Sequence, residues 1–187
     1  MITFIIPTLN RPLLGRAIDS LYGQTSEEWK AIIIYDGIEP SEDYSSSKIK
    51  TIQIEKSGIT GKANGQAGLV RNRGINESDT EWVGFLDDDD ILDKNYVKLL
   101  SKYSNFDLVI FRMDCPRCRS VIPRPHDERI YVGNVGISFC YKPSLTGQII
   151  NFSTNNTAED YQLVTKLINS GYSYTITKEV GYYVRPK

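Results

Sequence analysis

EWVGFLDDDDILD (residues 81–93) runs an apolar segment into four consecutive aspartates and out again through Ile91-Leu92. The segment EWVGFLD (81–87) reads as a strand buried on both faces. Four like charges at its end repel one another. A solvated surface run would be flanked by polar sequence, and this one is bracketed by VGFL and IL. Two readings stay open on the residues alone. Either a divalent cation and a ligand offset the repulsion, or the aspartates form a solvated cluster with Asp90 capping the helix that follows.

The neighbours of this stretch set its place in a fold. ITFIIPT (2–8) and WKAIIIYDG (29–37) are short β-branched runs that end in Pro7-Thr8 and Asp36-Gly37, and IKTIQIEK (49–56) alternates as a third strand. RPLLGRAIDSLYGQT (11–25) puts Leu14, Ala17, Ile18 and Leu21 at helical spacing. LVRNRGINES (69–78), ILDKNYVKLLSKYS (91–104) and AEDYQLVTKLINSG (158–171) predict further helices. FDLVIFRM (106–113), VGISFCYK (135–142), YSYTIT (172–177) and GYYVR (181–185) predict strands, and 114–135 reads as irregular. Strands alternating with helices through residue 113 predict an α/β fold with a mostly parallel sheet and helices on both faces. Ligands bind such sheets at the carboxyl ends of the strands. Thr8, Asp36 and Asp87–Asp90 converge on that rim.

The chain has 187 residues, 22 basic and 23 acidic, which fits one domain and no electrostatic nucleic-acid binder. No stretch reaches the ~20 apolar residues that span a bilayer, and the N-terminus lacks signal-peptide features. Cys115 and Cys118 form a single C-x-x-C, too few ligands for structural zinc, and read as two free thiols in a loop. With Cys140 they make an odd count, which predicts a reducing, cytoplasmic setting.

Other acidic and glycine-rich motifs fail on spacing. Counted from Asp87, an EF-hand's fifth, sixth and twelfth positions hold Ile91, Leu92 and Lys98. SGITGKANGQAG (57–68) has Lys56 where a phosphate loop needs glycine, and Ala63 where it needs Ser or Thr. Its glycines allow a flexible loop, or one that brings Lys62 or Gln66 to a ligand. His126 in PRPHDER reads either as a surface residue or as a metal or ligand contact, and Arg124 and Arg129 either as solvated charge or as binders of an acidic ligand such as a diphosphate.

FIIPTLNRPLLGRAIDSLYGQT, IIIYDG, GLVRNRGINES, EWVGFLDDDDIL and AEDYQLVTKLINSGY resemble, in order and spacing, the family 2 glycosyltransferases of GT-A fold. The likeness covers residues 2–110 well, 157–185 fairly and 113–150 weakly. It implies a single Rossmann-like, nucleotide-diphospho-sugar transferase domain over 1–187. Residues 1–112 would bind the nucleotide-sugar, and 113–187 would supply the acceptor side and the base. It implies transfer from a nucleotide-sugar, usually a UDP-sugar, to a glycan or other hydroxyl acceptor, with inversion. It also implies Mn²⁺ or Mg²⁺ held by the D-x-D motif, with Asp89 as the direct ligand and Asp87 and Asp88 on metal, ribose or sugar. Pro7, Thr8, Asn10, Arg11 and Arg71 would line the nucleotide-sugar site. Asp36 would contact the nucleobase, Gln66 would complete the pocket, and Asp160 would be the catalytic base beside Glu159.

Two departures are visible. Tyr35 stands where the family commonly has an acid, and the Q-x-x-R-W signature of processive synthases is missing. The second argues for a non-processive enzyme. A sugar-phosphate nucleotidyltransferase would carry a glycine- and basic-rich loop after the first strand, which PTLNRPLLG lacks. An inactive nucleotide-sugar-binding module is the non-enzymatic alternative. The chain stops just after its last predicted strand, which also fits one domain of a longer protein.

Overall fold

β1 (Ile2–Thr8) is the strand around which the rest is arranged. It pairs in parallel with β2 (Trp29–Asp36) on one side and β4 (Trp82–Phe85) on the other, and β3 (Ile49–Ile54) extends the parallel set beyond β2. The structure, a computed structural model, describes residues 1–57, 67–116, 120–145, 149–153 and 158–185. β1, β2 and β4 are mostly apolar and buried because both of their faces are covered. α2 (Ala67–Glu77) packs on β1 and β2. It comes so close that a Cβ on Gly74 would lie 2.5 Å from Ile5 Cγ2. Phe4 points to the opposite face and meets the Tyr96 ring of α3 (Tyr96–Leu100) at 5.4 Å. α1 (Leu14–Tyr22) buries the four residues whose spacing predicted it.

The second half adds β8 (Phe139–Tyr141), β6 (Leu108–Cys115), β9 (Tyr174–Tyr183) and β5 (Ile91–Leu92) to complete one mixed sheet of order β3-β2-β1-β4-β8-β6-β9-β5. β8 is antiparallel to β4 and to β6. β9 runs parallel to β6. It unites the two closing strands expected from the sequence, because β6 offers it an unbroken neighbour apart from register shifts near Arg112. The region read as irregular contains β7 (Ser120–Ile122), which pairs with the end of β6.

The expected helix 91–104 is largely replaced. Ile91 and Leu92 form β5 against Tyr183 and Tyr182, α3 has only five residues, and a 3₁₀ turn (Ser101–Tyr103) follows. The helical periodicity there came from apolar residues that satisfy a strand edge first and a helix second. No helix among the described residues is long and apolar enough to cross a membrane. Cys115 is disulfide-bonded, which corrects its reading as a free thiol, and Cys140 is free and buried. Cys118 lies outside the described residues. Cysteine usage therefore no longer speaks for a reducing compartment.

Candidate active site

The parallel strands end on one rim. β1 delivers Thr8, β2 delivers Asp36, and the turn after β4 delivers the aspartates. A cavity of about 280 Å³ opens there, lined among others by Pro7, Thr8, Arg11, Asp36, Arg71, Asp87, Asp88 and Asp89. Eight of the residues expected from the sequence thus share one wall.

Each aspartate of the run has a different task. Asp87 accepts from Arg71 Nη2 at 2.6 Å, and its own N–H donates to the Tyr182 hydroxyl at 3.0 Å. Asp88 is buried and accepts from Thr8 Oγ1 at 2.7 Å. Burial raises its pKa, while the Thr8 hydrogen bond and the Arg11 charge pull the other way. Asp89 accepts from Arg11 Nη1 at 3.0 Å and from Arg185 Nε at 2.5 Å.

Asp90 does not cap a helix. Its carboxylate accepts the Arg185 main-chain N–H at 2.8 Å and bonds the Tyr182 hydroxyl. α3 begins only at Tyr96, after Asn95 with no side-chain cap. Burial pushes Asp90 up to about 7, aided by Asp87 and opposed by the Arg185 and Tyr182 bonds. Its partners lie on β9 and just past it, out of reach of any local sequence rule.

Asp36 lines the cavity and accepts from Ser57 N at 2.6 Å and Ser57 Oγ at 2.8 Å. Asn10 does not line the cavity. It takes a left-handed φ of 58°, which asparagine tolerates. Its side chain bonds Glu39 O and Ser41 Oγ, so it shapes the turn after β1. Gln66 lies outside the described residues. The His126 side chain is 76% exposed, 3.9 Å from Asp127, and Arg124 and Arg129 are exposed.

Glu159 and Asp160 open α4 (Glu159–Asn169). They stand behind the cavity wall and reach it through Arg71, whose Nη1 is 2.6 Å from Glu159 Oε1 and 4.0 Å from Asp160 Oδ1. Asp160 Oδ1 is buried with no hydrogen-bond partner. Burial pushes Asp160 up to about 7. Arg71 pulls it down, while Asp87 and Glu159 push it further up.

Sequence reading missed Arg185 and Tyr182. Arg185 borders the cavity and Tyr182 fixes the acidic turn from below. The only signal was a basic residue just past the last strand.

Among the described residues no three His, Cys, Asp or Glu side chains form a ready metal cage. The donor set still fits a hard cation. Mg²⁺-type sites use one or two carboxylates and take their other ligands from water and substrate phosphates. Asp89 and Asp87 line the cavity. The arginines on Asp89 are 46% and 40% exposed, free enough to turn aside.

Residues 3–167 match the family model described as Glycosyl transferase family 2. The poly(ribitol-phosphate) β-N-acetylglucosaminyltransferase TarP of Staphylococcus aureus is 28% identical over 209 residues, covering 98% of this chain and 62% of that protein. S. aureus TarS 1–349 in complex with UDP-GlcNAc superposes with a TM-score of 0.77 at 19% identity, over 100% of this chain and 58% of that one. The mannosyltransferase PcManGT of Pyrobaculum calidifontis, in complex with GDP-Man and Mn²⁺, gives 0.65 at 20% identity, over 100% and 57%. The chain therefore spans about 60% of the length of these relatives. The expected GT-A fold is borne out.

Proposed function

The chain belongs to glycosyl transferase family 2, and from that premise we propose that it moves a sugar from a nucleoside-diphosphate sugar to an acceptor hydroxyl with inversion. The observation that carries this reading is the convergence of Thr8, Asp36 and Asp87–Asp89 on one strand-end cavity, with Asp160 joined to its wall through Arg71. UDP-GlcNAc bound to TarS supports a UDP-sugar as donor. A glycan or glycoconjugate is the acceptor class.

In this reading residues 1–112 hold the donor and 113–187 supply the base. Asp36 faces the nucleobase end of the cavity. Arg11 and Arg185, now paired with Asp89, can turn toward diphosphate oxygens. Asp89, with Asp87, would hold Mn²⁺ or Mg²⁺, which supplies charge neutralisation for the leaving diphosphate. Asp160 takes the proton of the acceptor hydroxyl as that oxygen bonds the anomeric carbon and the bond to the β-phosphate oxygen breaks. Its unpartnered Oδ1 can accept that proton. A pKa near 7 suits a general base at neutral pH.

The test is a panel of nucleotide-sugars with Mn²⁺, following binding, slow hydrolysis and transfer. One UDP-sugar is hydrolysed, and Asp89→Ala abolishes the reaction. Asp160→Asn keeps donor binding while transfer falls about 10²- to 10⁴-fold. Full transfer by Asp160→Asn would sink the assignment of the base. Nucleoside triphosphate formation from pyrophosphate would establish a nucleotidyltransferase instead, and binding without turnover an inactive module.

A further inference from the structure

Arg71 lies on α2 between the donor side and the base helix, with its side chain 5% exposed. Its two terminal nitrogens are already committed. Nη2 donates to Asp87 Oδ1 at 2.6 Å, and Nη1 donates to Glu159 Oε1 at 2.6 Å and stands 4.0 Å from Asp160 Oδ1. Its plane sits over the Phe152 ring at 5.5 Å. The arrangement is tight from the other side too. A Cβ on Gly68 would lie 2.7 Å from Glu159 Oε2 and 2.9 Å from Phe152 Cβ, so a side chain there would force Glu159 or Phe152 to shift.

A guanidinium is a rigid fork that spans two carboxylates at fixed angles, and a lysine is a point charge that cannot. Reaching a nucleotide would cost Arg71 its charge-assisted bonds to Asp87 and Glu159, which have no other cationic partner among the described residues. We infer that Arg71 is a positioning residue: it fastens the first turn of α4 to Asp87 and so sets the distance between the donor and the base. The inference rests on the transferase reading and assigns Arg71 a role other than nucleotide contact.

A direct nucleotide ligand, a merely structural ion pair and a positioning residue differ in what they change. Misplacing a reacting group by about 1 Å costs on the order of 100-fold in rate. Arg71→Met is therefore expected to lower kcat for transfer about 100-fold while the donor KM and UDP affinity stay within about threefold. Arg71→Lys restores part of kcat, since the charge returns without the fork. A loss carried by donor affinity with kcat held, or kcat within about threefold of wild type in folded Arg71→Met, overturns the inference.

A second measurement does not depend on turnover. Denaturation of Asp87→Asn, Glu159→Gln and the double variant reads whether the two carboxylates are coupled, and the same cycle in an Arg71→Met background reads whether Arg71 carries that coupling. Non-additive effects with Arg71 and additive ones without it support the clasp. Additive effects in both backgrounds overturn it. Should the wild type turn over no donor, the transferase reading falls while this cycle still decides the clasp. Should Arg71→Met not fold, Arg71→Lys kinetics and the wild-type cycle decide it.

Discussion

In the proposed reading Asp160 carries a cost as well as a task. Its carboxyl is pushed up to about 7 by burial, whereas in an unfolded chain it titrates near ~3.9. Between those values the folded protein holds a proton that the unfolded chain has released. Stability from this group therefore falls as pH rises from ~4 through ~7, and the full cost is present above that. Asp160→Asn should stabilise the protein above pH 7 by on the order of 1–2 kcal/mol, allowing for partial exposure, and change little near pH 4. Thermal unfolding at the two pH values checks this, and kcat/KM of the wild type should rise along a limb with an apparent pKa of about 7. At this scale the sequence was a good guide to which residues meet and a poor guide to how. Thr8, Asp36 and Asp87–Asp89 stand at strand ends, so their convergence follows from the strand pattern alone. Asp90 looked like a cap because a helix seemed to follow, and its real partners on β9 and beyond become visible only once the sheet is closed.

Among the elements, α2 is the one that depends most on fit. Gly74 lets it lie against Ile5 and Ile34, and a methyl there would sit 2.5 Å from Ile5 Cγ2 and 3.1 Å from Ile34 Cδ1. Gly74→Ala gains helix propensity but overpacks the sheet face, so a net loss of about 1–3 kcal/mol is expected, read as a lower denaturation midpoint with an unchanged m-value. α1 was legible because its apolar stripe is local, and its four core residues are the ones its spacing predicted. β5 was not. Ile91 and Leu92 are strand only because Tyr182 and Tyr183 pair with them, and no window of residues 91–104 contains that information. β9 was read in two pieces for the same reason, since its continuity comes from β6 alongside.

The molecule as a whole is one mixed sheet whose β1–β4 half is parallel and whose far half mixes antiparallel pairings with the parallel β6–β9 pair. A ligand that binds only the folded form stabilises it by about 2.7 kcal/mol at a hundred times its Kd. For a chain of this size that raises Tm by roughly 5–10 °C. UDP with Mn²⁺ should produce such a shift, a chelator should remove most of it, and Asp89→Ala should lack the metal-dependent part. Differential scanning calorimetry reads all three. The parallel half was legible because buried strands and amphipathic helices alternate in the chain. The far half was not, because its antiparallel pairings join segments whose order in sequence differs from their order in space. Tyr182 and Arg185 hold Asp87 and Asp90 from the end of β9. A ribosome makes those aspartates nearly a hundred residues before it makes their supports. The acidic turn is therefore born without its scaffold, and the wall of the strand-end cavity is complete only once the last strand has left the exit tunnel and docked.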